Sequence, residues 1–373
     1  MSVKFLISGL SDEEMMALQG KVSGAELLLA QVARLSPEEI DLIRQAAPDA
    51  ELLVAASHAE AMALAPEADA LFGYLNADLF RAAPRLRWVQ APSAGVEVYL
   101  FPELRHSHVI LTNARGLAAA QMADHTLALL LALTRKIPAM LRDMGRRDWG
   151  SDDQIAPELA GQTLLIVGLG SVGRLVAQRA SAFDMRILAT GFEGSPSIMR
   201  VDALHPPDNL THILPHADHV AICCPLTPAT YHLFDAPMLR RMKQSAFLIN
   251  VARGGIVDHE ALATALEAGE LAGAGLDVTE PEPLPDGHRL LTLENVILTP
   301  HCGGRSAMIR RRMIDLVADN LRRFTAGEPL RHVVDKRAGF ESVRKVRHAC
   351  SRSEPGGHGG YRSGSRPPSK CRW

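Results

Sequence analysis

Thr163-Leu-Leu-Ile-Val-Gly168-Leu-Gly170-Ser171-Val172-Gly173-Arg-Leu-Val-Ala177 reads as a buried strand, a tight turn and the first turns of a helix. A strand that feeds a GxGxxG turn and then a helix is the context a dinucleotide site needs. Gly168 permits the turn, Gly170 lets backbone approach a pyrophosphate, and Gly173 lets the helix pack closely on the strand. The N–H groups at the helix start, from Ser171 and Val172 onward, then face the phosphates. About 20 residues further on, such sites place an acidic side chain on the adenosine ribose. Here the second strand, Arg186-Ile-Leu-Ala-Thr190, ends on Gly191. Glu193 comes two residues too late and Asp184 precedes the strand. The carboxylate that would repel a 2′-phosphate is missing, yet Phe192 stands where an Arg would welcome one. Arg174 and Arg200 are the candidate phosphate partners, and the cofactor reading stays at NAD or NADP.

Outward from this loop, strand-like runs and helical patterns alternate. Upstream the strand candidates are Lys4–Ser8, Ala25–Ala30, Glu51–Ala55, Ala70–Gly73, Arg87–Gln90 and Val109–Asn113. From the glycine loop onward they are Thr163–Gly168, Met185–Thr190, His219–Cys224, Phe247–Val251, Ala274–Val278 and Val296–Thr299. Continuous apolar strands separated by helices predict two doubly wound α/β domains, each with a parallel sheet covered on both faces. An Ala/Leu-rich pattern over Ala118–Met140 predicts one long helix between them, with Pro138 near its end. The polar stretch Asp148–Pro157 reads as a junction loop. A last helical pattern, Ser306–Phe324, is expected to pack back on the first domain. The expected boundaries are residues 1–115 plus 303–340 for one domain, 116–302 for the cofactor domain, and 341–373 for a disordered basic tail.

The composition excludes several classes. With 373 residues and 47% hydrophobic content, two ordinary cores can be buried. The formal charge of −2 gives no reason to expect nucleic acid. The tail carries eight Lys/Arg against two Asp/Glu, a net of +6, so the preceding 340 residues carry −8. It is rich in Gly, Ser and Pro and cannot bury enough surface to offset its ordering entropy. Five cysteines, Cys223, Cys224, Cys302, Cys350 and Cys371, lack zinc-ligand or CxxC spacing, and Cys223 and Cys224 read as buried thiols. No metal site is expected. Thr126–Leu133 is too short to span a bilayer, and Asp12, Glu13 and Glu14 follow the first apolar run at once. A soluble, cytoplasmic protein is the expectation.

Three charged side chains follow strand candidates of the second set: Arg253 in Asn250-Val251-Ala252-Arg253-Gly-Gly-Ile-Val-Asp258, Glu282 in Asp277-Val-Thr-Glu-Pro-Glu282, and His301 in Thr299-Pro-His301. Each strand is read as buried. Singly, each residue has an ordinary structural reading. Together they suit hydride transfer to a keto acid. A guanidinium grips a carboxylate in a two-pronged way, and an imidazole moves the accompanying proton. A carboxylate beside that imidazole orients the ring and favours its charged form.

With these motifs in hand, the chain resembles the D-2-hydroxyacid dehydrogenases, the family of phosphoglycerate, glyoxylate/hydroxypyruvate and D-lactate dehydrogenases. The likeness covers about residues 45–340 and includes Glu158-Leu-Ala-Gly-Gln-Thr-Leu, Pro225-Leu-Thr-Pro-Ala-Thr230, Gly275-Leu-Asp-Val and Pro281-Glu-Pro-Leu. It implies a Rossmann cofactor domain and a discontinuous flavodoxin-like substrate domain. It implies that Arg253 binds the substrate carboxylate and carbonyl, that His301 is the acid/base, and that Glu282 rather than Glu280 supports it. Asp277 matches the residue that contacts the nicotinamide amide. Pro225, Thr230, the Val251–Arg253 backbone, His301 and Gly304 match the cofactor side of such sites. Ser93-Ala94-Gly95-Val96 matches the small-residue loop whose N–H groups hold the substrate carboxylate, and Leu75 and Asn76 fall where relatives face the substrate. A homodimer is implied as well. Asp124 replaces the family's usual Glu, and the tail lies beyond the family's usual end. Glu282 argues against the formate dehydrogenase branch, which carries glutamine there. The expected activity is NAD(P)-dependent reduction of a small 2-keto acid to the D-2-hydroxy acid. The alternative is an NAD(H)-binding regulator of the corepressor type, whose mark would be loss of the trio.

Overall fold

The computed structural model describes residues 2–18, 34–143, 156–191 and 200–339. The expected strand Ala25–Ala30, most of the loop Asp148–Pro157, Phe192, Glu193 and the tail 341–373 lie outside them. Twelve strands are described, all in two parallel sheets. The first sheet holds β1 (Val3–Ser8), β2 (Ala50–Ala55), β3 (Ala70–Gly73), β4 (Trp88–Gln90) and β5 (Ile110–Thr112) in the order β2-β1-β3-β4-β5. The second holds β6 (Thr163–Val167), β7 (Arg186–Thr190), β8 (Ala203–His205), β9 (His219–Ile222), β10 (Phe247–Asn250), β11 (Gly273–Leu276) and β12 (Val296–Leu298) in the order β12-β11-β10-β9-β6-β7-β8. Both sheets therefore reverse direction once, beside β1 and beside β6. The crevice outside the strand ends at such a reversal is where doubly wound sheets bind ligands.

The pattern of burial explains the order. β3, β4, β6, β9 and β11 are buried along their whole length, as central strands covered on both faces must be. β12 is only half-buried because it is the outermost strand of its sheet, so the expectation of a buried strand before His301 is corrected. β8, at the opposite edge, went unread because three half-buried residues carry no periodicity.

The helix expected over Ala118–Met140 is two helices, Ala119–Thr134 and Ile137–Asp143. Lys136 between them takes a left-handed φ of 55°. A proline ring at 138 would clash with the carbonyl of Thr134 in a continuous helix. Placed instead in the first turn of a new helix, Pro138 costs nothing. Leu127, Leu130 and Leu133 of the longer helix pack on Leu164, Ile166 and Ile249 of the second sheet. The helix Ile309–Thr325 places Met313, Val317 and Leu321 against Phe5, Phe72 and Trp88 of the first. Asn320 joins this seam, with Nδ2 donating to Gln90 Oε1 at 2.8 Å and Oδ1 accepting from Arg331 N–H at 2.8 Å. Each fully buried Leu, Val or Phe in these faces contributes about 1.5–3 kcal/mol.

His219 of β9 is 2% exposed. Its Nδ1 accepts from Phe247 N–H at 3.4 Å, which leaves the proton on Nε2 to donate to Gln162 Oε1 at 2.6 Å. Burial pushes its pKa down to about 4. His259 is likewise pushed down to about 4 by burial. Among the described residues, no helix is long and apolar enough to cross a membrane.

Candidate active site

The glycine loop follows β6 at the reversal of the second sheet. Gly168 takes a φ of 102°, and a Cβ there would lie 2.6 Å from Cys224 N. A Cβ on Gly173 would lie 2.2 Å from Gly168 O, so the helix Ser171–Ala180 can approach the turn only without one. Gly170 differs. The nearest atom to its missing Cβ, outside the adjoining chain, is Arg115 Nη2 at 3.8 Å, so its face is open on the side where a pyrophosphate would lie. That openness, beside two glycines locked by backbone, fits a dinucleotide. Ser171 and Val172 begin the helix, and Ser171 Oγ faces Gly116. Arg115 carried no motif, and only its place beside Gly170 draws attention to it. Gly191 donates its N–H to His205 O, with Leu169 and Leu204 packed beside it.

Arg253, Glu282 and His301 follow β10, β11 and β12, which are adjacent in the sheet. Backbone bonds tie these strand ends together. Asp277 N–H donates to Asn250 O at 2.9 Å, and His301 N–H donates to Asp277 O at 2.9 Å. Asn250, fully buried, closes the turn before Arg253 by accepting from Ala252 N–H and donating to Arg253 O. His301 Nδ1 lies 3.1 Å from Glu282 Oε2, with the two side chains 29% and 26% exposed. With Nδ1–H committed to the carboxylate, Nε2 is the position left to exchange a proton. His301 holds a left-handed φ of 47°, a conformation that costs a non-glycine residue about 1 kcal/mol or more.

Arg253 is reached from the other sheet. The Ser93–Val96 loop follows β4, and Asn113 Nδ2 anchors it through Ala94 O at 2.7 Å. Ser93 Oγ donates to Gly95 O. A Cβ on Gly95 would fall 1.8 Å from Arg253 Nη2, so the loop backbone lies directly on the guanidinium. Glu97, two residues on, pairs with Arg253 Nε at 3.4 Å, and Arg253 Nη1 donates to Ala252 O at 2.8 Å. An arriving carboxylate would compete with Glu97. The pair is part-exposed and worth about 1 kcal/mol or less, so it yields to a better partner. A cavity of about 330 Å³ lies on the other side of Glu97, lined by Glu97, Leu100 and Arg105 and by Leu226, Thr227 and Tyr231, and does not include Arg253, Glu282 or His301.

Other expected residues have more local duties. Asp277 is 1% exposed and accepts from Thr299 Oγ1 at 2.6 Å, Cys302 N–H at 2.9 Å and Gly303 N–H at 2.9 Å. Thr230 is buried and donates to Pro225 O at 2.7 Å, closing the loop after β9. Val251 is buried in the core, and Gly304 O accepts from Gln121 Nε2 at 3.0 Å. Leu75 is 3% exposed and packed in the first-sheet core, and Asn76 caps the helix Ala77–Ala82 through Leu79 N–H. Cys223 and Cys224 are half-buried rather than fully buried; burial raises both thiol pKa values, that of Cys224 to about 12, which makes them poor nucleophiles. Glu97, Asn113 and His125 were missed, because each is recognised only by its partner across the fold; Asn250 stands in the Arg253 stretch, but its closing of that turn shows only in the structure.

Residues 127–303 match the family described as D-isomer specific 2-hydroxyacid dehydrogenase, NAD binding domain. A glyoxylate reductase of Thermofilum pendens is 37% identical over 277 residues, 73% of this chain and 80% of that protein. A glycerate dehydrogenase of Methylorubrum extorquens is 35% identical over 263 residues, 68% of this chain and 81% of that protein. Among solved structures, the NADPH-dependent glyoxylate/hydroxypyruvate reductase of Sinorhizobium meliloti, in complex with NADP and sulfate, superposes with a TM-score of 0.73. It is 25% identical, with 91% of this chain and all of that chain covered.

Proposed function

Because the chain belongs to the D-isomer specific 2-hydroxyacid dehydrogenase family, we propose that it reduces a small 2-keto acid of the glyoxylate, hydroxypyruvate or pyruvate type to the D-2-hydroxy acid, and runs the reverse reaction. It is an NAD(P)-dependent oxidoreductase with two parallel-sheet α/β units. The observation that carries the reading is the 3.1 Å His301–Glu282 contact on strand ends adjoining the one whose Arg253 meets the Gly95 backbone.

Nicotinamide, when bound, supplies the hydride or accepts it. In the proposed mechanism the protein does the rest. The open face of Gly170 and the N–H groups from Ser171 onward hold the pyrophosphate. Arg253 and the Ala94–Val96 amides hold the substrate carboxylate, and the guanidinium polarises the keto oxygen. His301 gives its Nε2 proton to that oxygen as negative charge develops, and Glu282 balances the imidazolium in the preceding state. Closure of the crevice between the two sheets excludes water while the charge moves.

The units that would move are residues 1–115 with 303–340 and residues 116–302, acting in a cytoplasmic homodimer. The resemblance supports the dimer, and gel filtration with light scattering tests it. A purely regulatory NAD(H)-binding role would need neither Arg253 nor the His301–Glu282 pair, and both are present. The deciding experiment measures initial rates on glyoxylate, hydroxypyruvate, pyruvate and longer 2-keto acids, each with NADH and NADPH. His301→Gln should then lower kcat by roughly 10²–10⁴ while cofactor binding, read by nucleotide fluorescence, persists. Near-normal turnover in that variant would remove His301 from the mechanism.

A further inference from the structure

The loop that presents His301, residues 299–304, is held at both ends by one face of a single helix. Gln121 and His125 are one turn apart on the helix Ala119–Thr134. Gln121 Nε2 donates to Gly304 O at 3.0 Å, and His125 Nε2 meets Thr299 Oγ1 at 2.9 Å. The direction of the second bond follows from counting protons. The Thr299 hydroxyl has one hydrogen, and its oxygen lies 2.6 Å from Asp277 Oδ1, a carboxylate oxygen that can only accept. Thr299 must therefore donate to Asp277, and His125 Nε2 is the donor to Thr299, with Asp277 Oδ1 itself 3.3 Å from the same nitrogen. Asp277 completes the hold by accepting Cys302 N–H and Gly303 N–H. Gly303 is pressed so closely that a Cβ would sit 2.9 Å from both His125 Cδ2 and Asp277 Oδ2.

His125, Asp277 and Cys302 place ligand atoms within 4.8 Å of one another. A metal would need the Nε2 lone pair that the proton occupies and an Asp277 carboxylate already accepting three bonds, so the arrangement is a hydrogen-bonded relay and not a ligand set. The helix is also tied to the first sheet's side of the molecule. Arg312, on the helix Ile309–Thr325, donates to Leu117 O at 3.0 Å and to Gln121 Oε1 at 3.4 Å. The disposition of the two sheets is thus linked, through Gln121 and His125, to the backbone that holds His301 in its left-handed conformation.

We propose that His125, with Gln121, is a positioning residue that sets the direction of the His301 imidazole through the His125–Thr299–Asp277 relay. The inference rests on the reading of His301 as the proton donor. A misplacement of about 1 Å at a reacting group costs on the order of 10²-fold. His125→Ala should lower kcat roughly 10–100-fold and leave the KM for the keto acid within about threefold, because the Arg253–Gly95 contact is untouched. His125→Gln keeps an N–H that reaches Thr299 and should recover most of the rate. Thr299→Val, nearly isosteric, should lower kcat as His125→Ala does. Hydrogen exchange supplies a readout that needs no substrate. Amides of 299–304 should exchange faster in His125→Ala and Thr299→Val, return toward normal in His125→Gln, and be unchanged in the glycine loop.

Equal exchange of 299–304 in all variants would overturn the proposal, as would a His125→Gln enzyme no better than His125→Ala. A loss that follows only a global drop in Tm, with exchange rising everywhere, would also overturn it, since that is the signature of a structural residue. Should the wild-type chain turn over no 2-keto acid, the enzymatic reading fails by itself, and the exchange experiment still decides whether the clamp exists.

Discussion

Two glycine-containing loops face the crevice, and they need glycine for different reasons. In the loop after β6, the atoms that would meet a Cβ are backbone: Cys224 N at Gly168 and Gly168 O at Gly173. Backbone cannot step aside, so these glycines belong to the fold. In the loop after β4, the atom that would meet a Cβ on Gly95 is the far end of a flexible side chain, Arg253 Nη2. That end can move, so a side chain at 95 should be tolerated by the fold and should displace Arg253. One loop is shaped by its own strand and helix, the other by a residue from the opposite sheet.

Substitutions can break this contrast. Gly173→Val should have the largest effect. With the helix start forced from the turn, nucleotide binding should vanish and the second sheet lose stability, checked by calorimetry and nucleotide fluorescence. Gly95→Ala should leave Tm within a degree or two and cofactor affinity intact, yet lower kcat/KM by roughly 10² as Arg253 is displaced. If Gly95→Ala unfolded the protein, or left kcat/KM unchanged, the contrast would collapse.

Acid should distinguish the sheets. The folded His219 stays neutral down to about 4, whereas the unfolded chain takes up that proton near 6.5. Between those values the unfolded state binds more protons, so stability falls as pH falls. By pH 5 the loss is roughly 2 kcal/mol for His219, and His259 acts in the same direction. Urea midpoints at pH 7 and pH 5 read the change, and His219→Gln should remove about half of it. The smallest expected effect is at Glu97. Glu97→Gln removes the carboxylate that competes for Arg253 and should lower the KM for the keto acid a few-fold, with kcat unchanged. A rise in KM would instead make Glu97 part of the substrate's seat.

What could be read in advance follows the same division. The alternation of strands and helices, the turn after Val167 and the strand ends carrying Arg253, Glu282 and His301 were legible, because each is a property of neighbours in the chain. The break at Lys136 was not, although Pro138 announced that a continuous helix would have to kink or stop nearby. The half-burial of β12 was not, because an edge strand and a central strand can carry the same apolar letters. Leu75 and Asn76 show the limit from the other side. Their position after β3 suggested a role facing the substrate, and their side chains serve the core and a helix cap.

The sequence by itself determined the two parallel sheets, the glycine turn between β6 and its helix, and the residue types of the proposed proton donor and its carboxylate, since periodicity, turn chemistry and side-chain type are local. Only the tertiary structure decided that Gly95 lies on Arg253, that Glu97 pairs with it, and that Gln121 and His125 hold the two ends of the His301 loop. Those contacts join residues far apart in the chain. They depend on how strands order themselves within a sheet and how one sheet meets the other, which local patterns do not encode.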